Sequence, residues 1–166
     1  DTIAEYWAIV EGVSLWDVAA ERQVEIIGRD ALTLTQLLTP RDIDKCPINR
    51  ARYVVFVDEN GGIINDAVMY RHAKNHFWLS PGDGDVLLWA KGVAAQRGLE
   101  VTVREPDASP LQLQGPLAPR VAYKLFGDLA IELGYYQFCH TSLDGIPVVL
   151  SRTGCLLYTS DAADEV

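Results

Sequence analysis

The sequence has little of what metal, redox and membrane proteins use. Its three cysteines, Cys46, Cys139 and Cys155, are scattered and odd in number. They stand apart from ligand-spaced histidines, so neither a disulfide framework nor a zinc site is indicated. His72, His76 and His140 lie in no CxxC or HExxH context, and no metal is expected. No apolar run approaches the length of a membrane span and no signal peptide is visible, so a soluble, cytoplasmic protein is expected. Positive charge is scarce too: 14 Lys and Arg face 23 Asp and Glu, a net charge of −9. That balance argues against nucleic-acid partners and anionic membranes, both of which are bound through counterion release. GxGxxG, a phosphate loop and internal repeats are absent as well.

What remains is an ordinary globular composition in 166 residues, enough for a real core in one domain or two small ones. The ends are unusual. The chain opens on Asp1 and its one methionine is Met69, so the start of the gene is expected to be missing. Residues 155–166 break the style of what precedes them and read like one frame of an adapter used in transposase-based DNA library preparation. The native domain is therefore expected to cover residues 1–154, truncated at both ends, with 155–166 a non-native tail to be kept out of fold reasoning.

Residues 3–12 have helical character. Residues 14–18 and 23–27 alternate as strands. Ala31, Leu34, Leu37 and Leu38 recur at helical spacing, with Asp30 as a candidate N-cap and Thr39-Pro40 as a stop. Residues 53–57 and 63–70 are β-rich runs flanking Asp58 to Gly62, where Asn60, Gly61 and Gly62 accept positive φ, so this reads as a hairpin. Residues 77–80 are a further strand. A helix over 85–96, with acids at its positive end, closes at Arg97-Gly98. Strands at 100–104 and 111–114 follow, then a helix from 116 to 127 with proline in its first turn. Strands at 135–140 and 146–150 flank an Asp144-Gly145 turn. Strand pairs joined by Asn-Gly and Asp-Gly turns are antiparallel, so the fold class is α+β, with antiparallel sheets and packed helices.

The hairpin carries the chemistry. Its second strand interrupts an apolar run with Asn65-Asp66, and a carboxylate there is costly unless something needs it. Alternation puts Asp66, Val68 and Tyr70 on one strand face, with Tyr53 of the partner strand able to meet them. An acid among aromatic and apolar side chains suits a flat, partly charged heterocycle. An Asp bonded to nearby backbone, on a mixed core face, accounts for the same pattern. Trp7, Trp16, Trp78 and Trp89 are candidates for a cation cage, but core positions account for most of them. Arg41-Asp42 and Glu21-Arg22 read equally as local ion pairs or as ligand contacts.

Six stretches, 13–18, 21–26, 36–42, 58–66, 113–116 and 151–154, together make the chain similar to the folate-binding aminomethyltransferase family typified by the glycine-cleavage T-protein. Tyr6-Trp7 and the Trp-Asp-Val and Glu-Arg-Gln-Val-Glu segments resemble its dimethylsulfoniopropionate demethylase branch most. The resemblance implies the N-terminal part of a T-protein-like folate-binding fold and tetrahydrofolate as cofactor. It implies Asp66 beside N5 of the pterin as the catalytic carboxylate, and Tyr53, Val68 and Tyr70 as folate contacts. The function implied is methyl transfer from a small-molecule sulfonium such as dimethylsulfoniopropionate to N5, with a fragment of this length inactive. The alternatives are the T-protein reaction itself, the one reading that brings a lipoyl carrier protein as partner, and a non-enzymatic folate-binding relative in iron–sulfur assembly.

Overall fold

Alternation in the strands and apolar spacing in two helices fold residues 15–112 around one sheet. From the N-terminus the elements are α1 (Thr2–Glu11), β1 (Ser14–Asp17), β2 (Val24–Gly28), α2 (Ala31–Leu38), β3 (Arg50–Val57), β4 (Ile63–Ala73) and β5 (His76–Pro81). They continue with α3 (Val86–Arg97), β6 (Val101–Arg104), β7 (Leu111–Gln114), α4 (Ala118–Phe126), α5 (Asp128–Glu132), β8 (Gln137–Leu143) and β9 (Ile146–Arg152). The computed structural model describes residues 1–82 and 84–154, so the tail expected to be non-native lies outside the described residues. The described residues divide into two units, residues 1–14 with 113–154 and residues 15–112.

In the unit of residues 15–112 the strand order is β6-β2-β5-β4-β3, with every neighbouring pair antiparallel. Its fold class is the α+β arrangement expected. One face of the sheet supplies Val24, Ile26, Val54, Phe56, Ala67, Met69, Phe77 and Leu79 to a core completed by Leu34 and Leu38 of α2 and Val86 and Ala90 of α3. Each such large apolar side chain contributes about 1.5–3 kcal/mol on full burial. Both helices therefore sit on this one face, which leaves the other for polar residues. In α2 the buried positions are Ala31, Leu34, Thr35 and Leu38, a single stripe. Asp30 stands at its N-cap position but does not cap it. Its Oδ2 instead accepts the Glu100 amide at 2.9 Å, tying the helix start to the strand beside it.

The β3–β4 hairpin closes as its glycines suggest. Asp58 Oδ1 accepts the amides of Asn60 and Gly62, each at 2.8 Å. Positive φ falls on Gly61, at +82°, and not on Asn60. Two expectations shift. Asp85, expected to open α3, stands instead at its N-cap, an acid at the positive end with none in the first turn that follows. The C-terminal strand begins at Gln137, because Tyr136 takes a φ of +55° and breaks the extended run expected from 135.

The other unit is built differently. Its α1 and α4 contain no buried residue. The Asp1 carboxylate caps α1 through the Ile3 amide at 3.1 Å. Gly115, with φ at +124°, lies where a Cβ would fall 2.5 Å from the Gly12 carbonyl oxygen, so only glycine fits. Gly127 ends α4, and α5, a five-residue helix not expected from the sequence, follows it. The β8–β9 hairpin turns through Asp144 at φ +50° and Gly145 at +82°, the primed geometry that Asp-Gly favours.

Candidate active site

The sheet face turned away from the core in residues 15–112 collects the polar and aromatic residues. Register fixes who meets whom. Tyr53 stands opposite Val68, Val55 opposite Asp66, and Tyr70 between Ala51 and Trp78. Tyr53, Asp66, Val68 and Tyr70, the four residues singled out in the sequence, are thus brought to one face, all of them half-buried. The contact that joins two of them is direct: the Tyr53 hydroxyl donates to Asp66 Oδ2 at 2.9 Å. Among the described residues that phenol is the one hydrogen-bond donor to the Asp66 carboxylate, and no backbone amide reaches it. The backbone-bonded alternative is therefore not what the structure shows.

The pair has an electrostatic signature. The hydrogen bond to Asp66 raises the Tyr53 phenol above its ordinary value, and burial and the carboxylate charge push the same way. The phenol stays protonated and keeps donating. One oxygen of the Asp66 carboxyl is engaged by that donor, and its other acceptor positions are open to a ligand.

Farther along the same face lies a second acid, which the sequence did not single out as a site. Glu25, 4% exposed, faces Trp78 on β5 and Arg104 on β6. Its Oε1 contacts His76 Nε2 at 2.8 Å and accepts Trp78 Nε1–H at 3.1 Å, while Oε2 accepts Arg104 Nε–H at 2.5 Å. Burial pushes this carboxyl up, but the hydrogen bonds from Trp78, Arg104 and His76 and the Arg104 charge outweigh it and hold it below the usual range. An acid with its acceptors filled in this way is structural.

Several sequence readings are corrected. Arg41 and Asp42 do not pair: Asp42 bonds Lys45 at 2.9 Å, and Arg41 Nη1 donates to the Tyr53 carbonyl at 3.1 Å. Arg22 pairs with Glu105 and not with Glu21, whose carboxyl is raised by burial. The tryptophans form no cage and are less buried than expected, with Trp7 and Trp16 49% and 44% exposed and Trp78 and Trp89 half-buried. Cys46 and Cys139 are free thiols raised by burial, and Cys155 lies outside the described residues. No group of three or more His, Cys, Asp or Glu that could hold a metal occurs among the described residues. No helix among them is long and apolar enough to cross a membrane.

Comparison with known proteins gives the same family that the motifs suggested. The chain is 42% identical over 144 residues to dimethylsulfoniopropionate demethylase of Ruegeria pomeroyi, covering 87% of this chain and 40% of the relative. It is 31% identical to an aminomethyltransferase of Desulfitobacterium hafniense, covering 99% of this chain and 45% of the relative. The chain thus spans less than half the length of these curated relatives. Among solved structures, aminomethyltransferase T of the glycine cleavage system from Bartonella henselae superposes with a TM-score of 0.78 at 24% identity, over 91% of this chain and 41% of that one. That likeness confirms the T-protein-like fold. Heterotetrameric sarcosine oxidase from Corynebacterium matches with a TM-score of 0.62 at 26% identity, over 92% of this chain and 77% of that one. The model of the GCVT N-terminal domain matches residues 1–166, and the chain belongs to that family.

Proposed function

We propose that the protein carrying this chain is a tetrahydrofolate-dependent methyltransferase, and that residues 1–154 form part of its folate-binding region. The observation that carries this reading is the Asp66 carboxylate, half-buried and held by one phenol, on a face that also presents Val68 and Tyr70. That face fits a flat, polar heterocycle. Tyr53 and Tyr70 offer aromatic surface, Val68 an apolar contact, and Asp66 an acceptor for an N–H. When bound, tetrahydrofolate supplies a secondary amine, N5, that accepts a methyl group.

The donor proposed is a sulfonium such as dimethylsulfoniopropionate. The carbon–sulfur bond breaks with its electron pair going to sulfur, so the product is a neutral thioether and no general acid is required. Transfer to an amine leaves positive charge and one proton to dispose of. Asp66 stabilises that charge and takes or relays the proton, a role worth roughly 10²–10⁴ in rate for a positioned group. Tyr53 orients the carboxylate without competing for the proton, because its own is held tightly. The face would do the rest by positioning.

The demethylase reading is preferred to the aminomethyltransferase one because identity is 42% to the former and 31% to the latter. A single assay separates them. The full-length protein is given tetrahydrofolate with either dimethylsulfoniopropionate or an aminomethylated lipoyl carrier, and the folate product is weighed by mass spectrometry. A 5-methyl product from the sulfonium is expected. A methylene product from the carrier alone would replace this reading with the aminomethyltransferase reaction. If neither donor yields a modified folate, the methyl-transfer reading fails.

A further inference from the structure

Along β3 lies a groove of about 260 Å³ lined by Pro40, Arg41, Tyr53, Val54 and Val55. We propose that this groove is a carboxylate subsite and that Arg41 is the residue that receives the anion. The inference rests on the transferase reading above and adds to it a charge partner for an anionic group of the ligand.

Arg41 is held in place before any ligand arrives. Thr39 Oγ1 accepts its amide at 3.3 Å, and Gln36 Nε2 donates to its carbonyl at 2.8 Å. The Gln36 Oε1 accepts the Ile43 amide at 2.8 Å, so one side chain fixes both ends of the turn. The guanidinium is then anchored by a single bond, Nη1 to the Tyr53 carbonyl at 3.1 Å. A guanidinium has five N–H donors in a planar fork, and the described residues offer it no carboxylate. The neighbouring acid that could neutralise it, Asp42, is taken by Lys45 at 2.9 Å. Among the described residues no carboxylate therefore neutralises the arginine that touches Tyr53.

Tyr53 connects the two charges. Its backbone carbonyl holds Arg41 and its phenol holds Asp66. A ligand lying along Tyr53 and Val55 meets an anion at one end and a cation at the other. The groove is smaller than the roughly 300–1,000 Å³ of pockets that enclose a whole drug-sized ligand, so it takes part of a ligand and not all of it, and the arginine in its lining selects the anionic part. Arginine and carboxylate match as bidentate partners, whereas a lysine there would act as a point charge. Two sources could supply the carboxylate: the methyl donor, or the glutamate of the folate.

The test uses Arg41→Gln and Arg41→Lys in the full-length protein, with thermal melts to establish that both fold. Dissociation constants are measured for tetrahydrofolate and for tetrahydropteroic acid, which has the same ring and no glutamate. KM and kcat are measured for dimethylsulfoniopropionate. If the folate supplies the anion, wild type prefers tetrahydrofolate over tetrahydropteroic acid by about tenfold, and Arg41→Gln abolishes the preference. If the donor supplies it, Arg41→Gln raises KM about tenfold and moves kcat less, with folate affinity unchanged. Arg41→Lys should recover only part of either loss. Changes under twofold in every constant, in a protein that still binds tetrahydrofolate, would overturn the subsite and leave the transferase reading standing. A wild type that neither binds tetrahydrofolate nor turns over donor would remove both.

Discussion

Glu25 and Asp66 occupy the same face of the same sheet, and their surroundings are opposite. Glu25 is 4% exposed and takes contacts from Trp78, Arg104 and His76 on the strands beside it. Asp66 is half-buried and takes one phenol. Burying a carboxylate is tolerable when donors replace its water, and Glu25 meets that condition in full. Asp66 meets it in part, so its charge remains available to something that binds. Two things separate these acids: Glu25 is the deeper, and its acceptor positions are the fuller.

Exchanging each acid for its amide should pull the two apart. Asp66→Asn is expected to cost the larger effect: kcat falls by roughly two to four orders of magnitude, as for loss of a positioned base. Folate affinity should change much less, since the surfaces of Tyr53, Val68 and Tyr70 survive. Glu25→Gln should do the reverse. It weakens the contacts with His76, Trp78 and Arg104, and is expected to lower stability by about 2–4 kcal/mol while leaving turnover per folded molecule intact. Denaturant midpoints and active-site-normalised kcat for both variants provide the check. An Asp66→Asn that loses stability and not kcat, or a Glu25→Gln that does the opposite, would reverse the assignment.

The same comparison has a pH arm. The Glu25 carboxyl titrates lower in the folded protein than the ordinary glutamate value of about 4.3. A depressed carboxyl binds fewer protons folded than unfolded, so its stabilisation is complete above that ordinary value. It is lost as pH falls toward the folded value. The stability gap between wild type and Glu25→Gln should therefore be present at about pH 5 and close as pH falls below about 4. Urea midpoints taken across that range measure it. A gap that persists at pH 3 would mean that packing, and not charge, is what the substitution removes.

These contrasts explain what could be read from the sequence. The face of Tyr53, Asp66, Val68 and Tyr70 was legible because both strands belong to one hairpin, where period two and a glycine turn set the register. The stripe of α2 was legible in part from helical spacing: Ala31, Leu34 and Leu38 are buried as expected, but Leu37 is 45% exposed and Thr35 is buried instead. The Glu25 cluster was not. Its partners stand 51, 53 and 79 residues away, and the pairing of β2 with β5 and β6 is a tertiary fact. Arg41 stayed open between a local ion pair and a ligand contact, because adjacency to Asp42 allows the first, whereas the fold gives that acid to Lys45 and turns the guanidinium toward Tyr53. Asp30 was placed correctly as a cap position, yet its carboxylate serves the Glu100 amide instead. Local pattern reached the strands and their faces, and stopped where side chains choose between a near partner and a far one.

The smallest expected effect isolates the one bond that Asp66 does have. Tyr53→Phe removes the hydroxyl and keeps the ring, so aromatic surface for a ligand remains while Asp66 loses its donor. A single net hydrogen bond is worth about 0.5–1.5 kcal/mol, which corresponds to a drop in kcat of about two- to tenfold, well short of Asp66→Asn. Because the bond also restrains the carboxylate, the loss should appear in kcat more than in the folate dissociation constant. The raised phenol adds a signature. Tyr53 should not ionise below about pH 10, so the wild-type rate profile should show no alkaline limb from this residue beneath that pH. Any alkaline limb present in the wild type should then persist in Tyr53→Phe. If the substitution removes such a limb, Tyr53 itself exchanges a proton in the reaction, and Asp66 is its orienting partner and not the base.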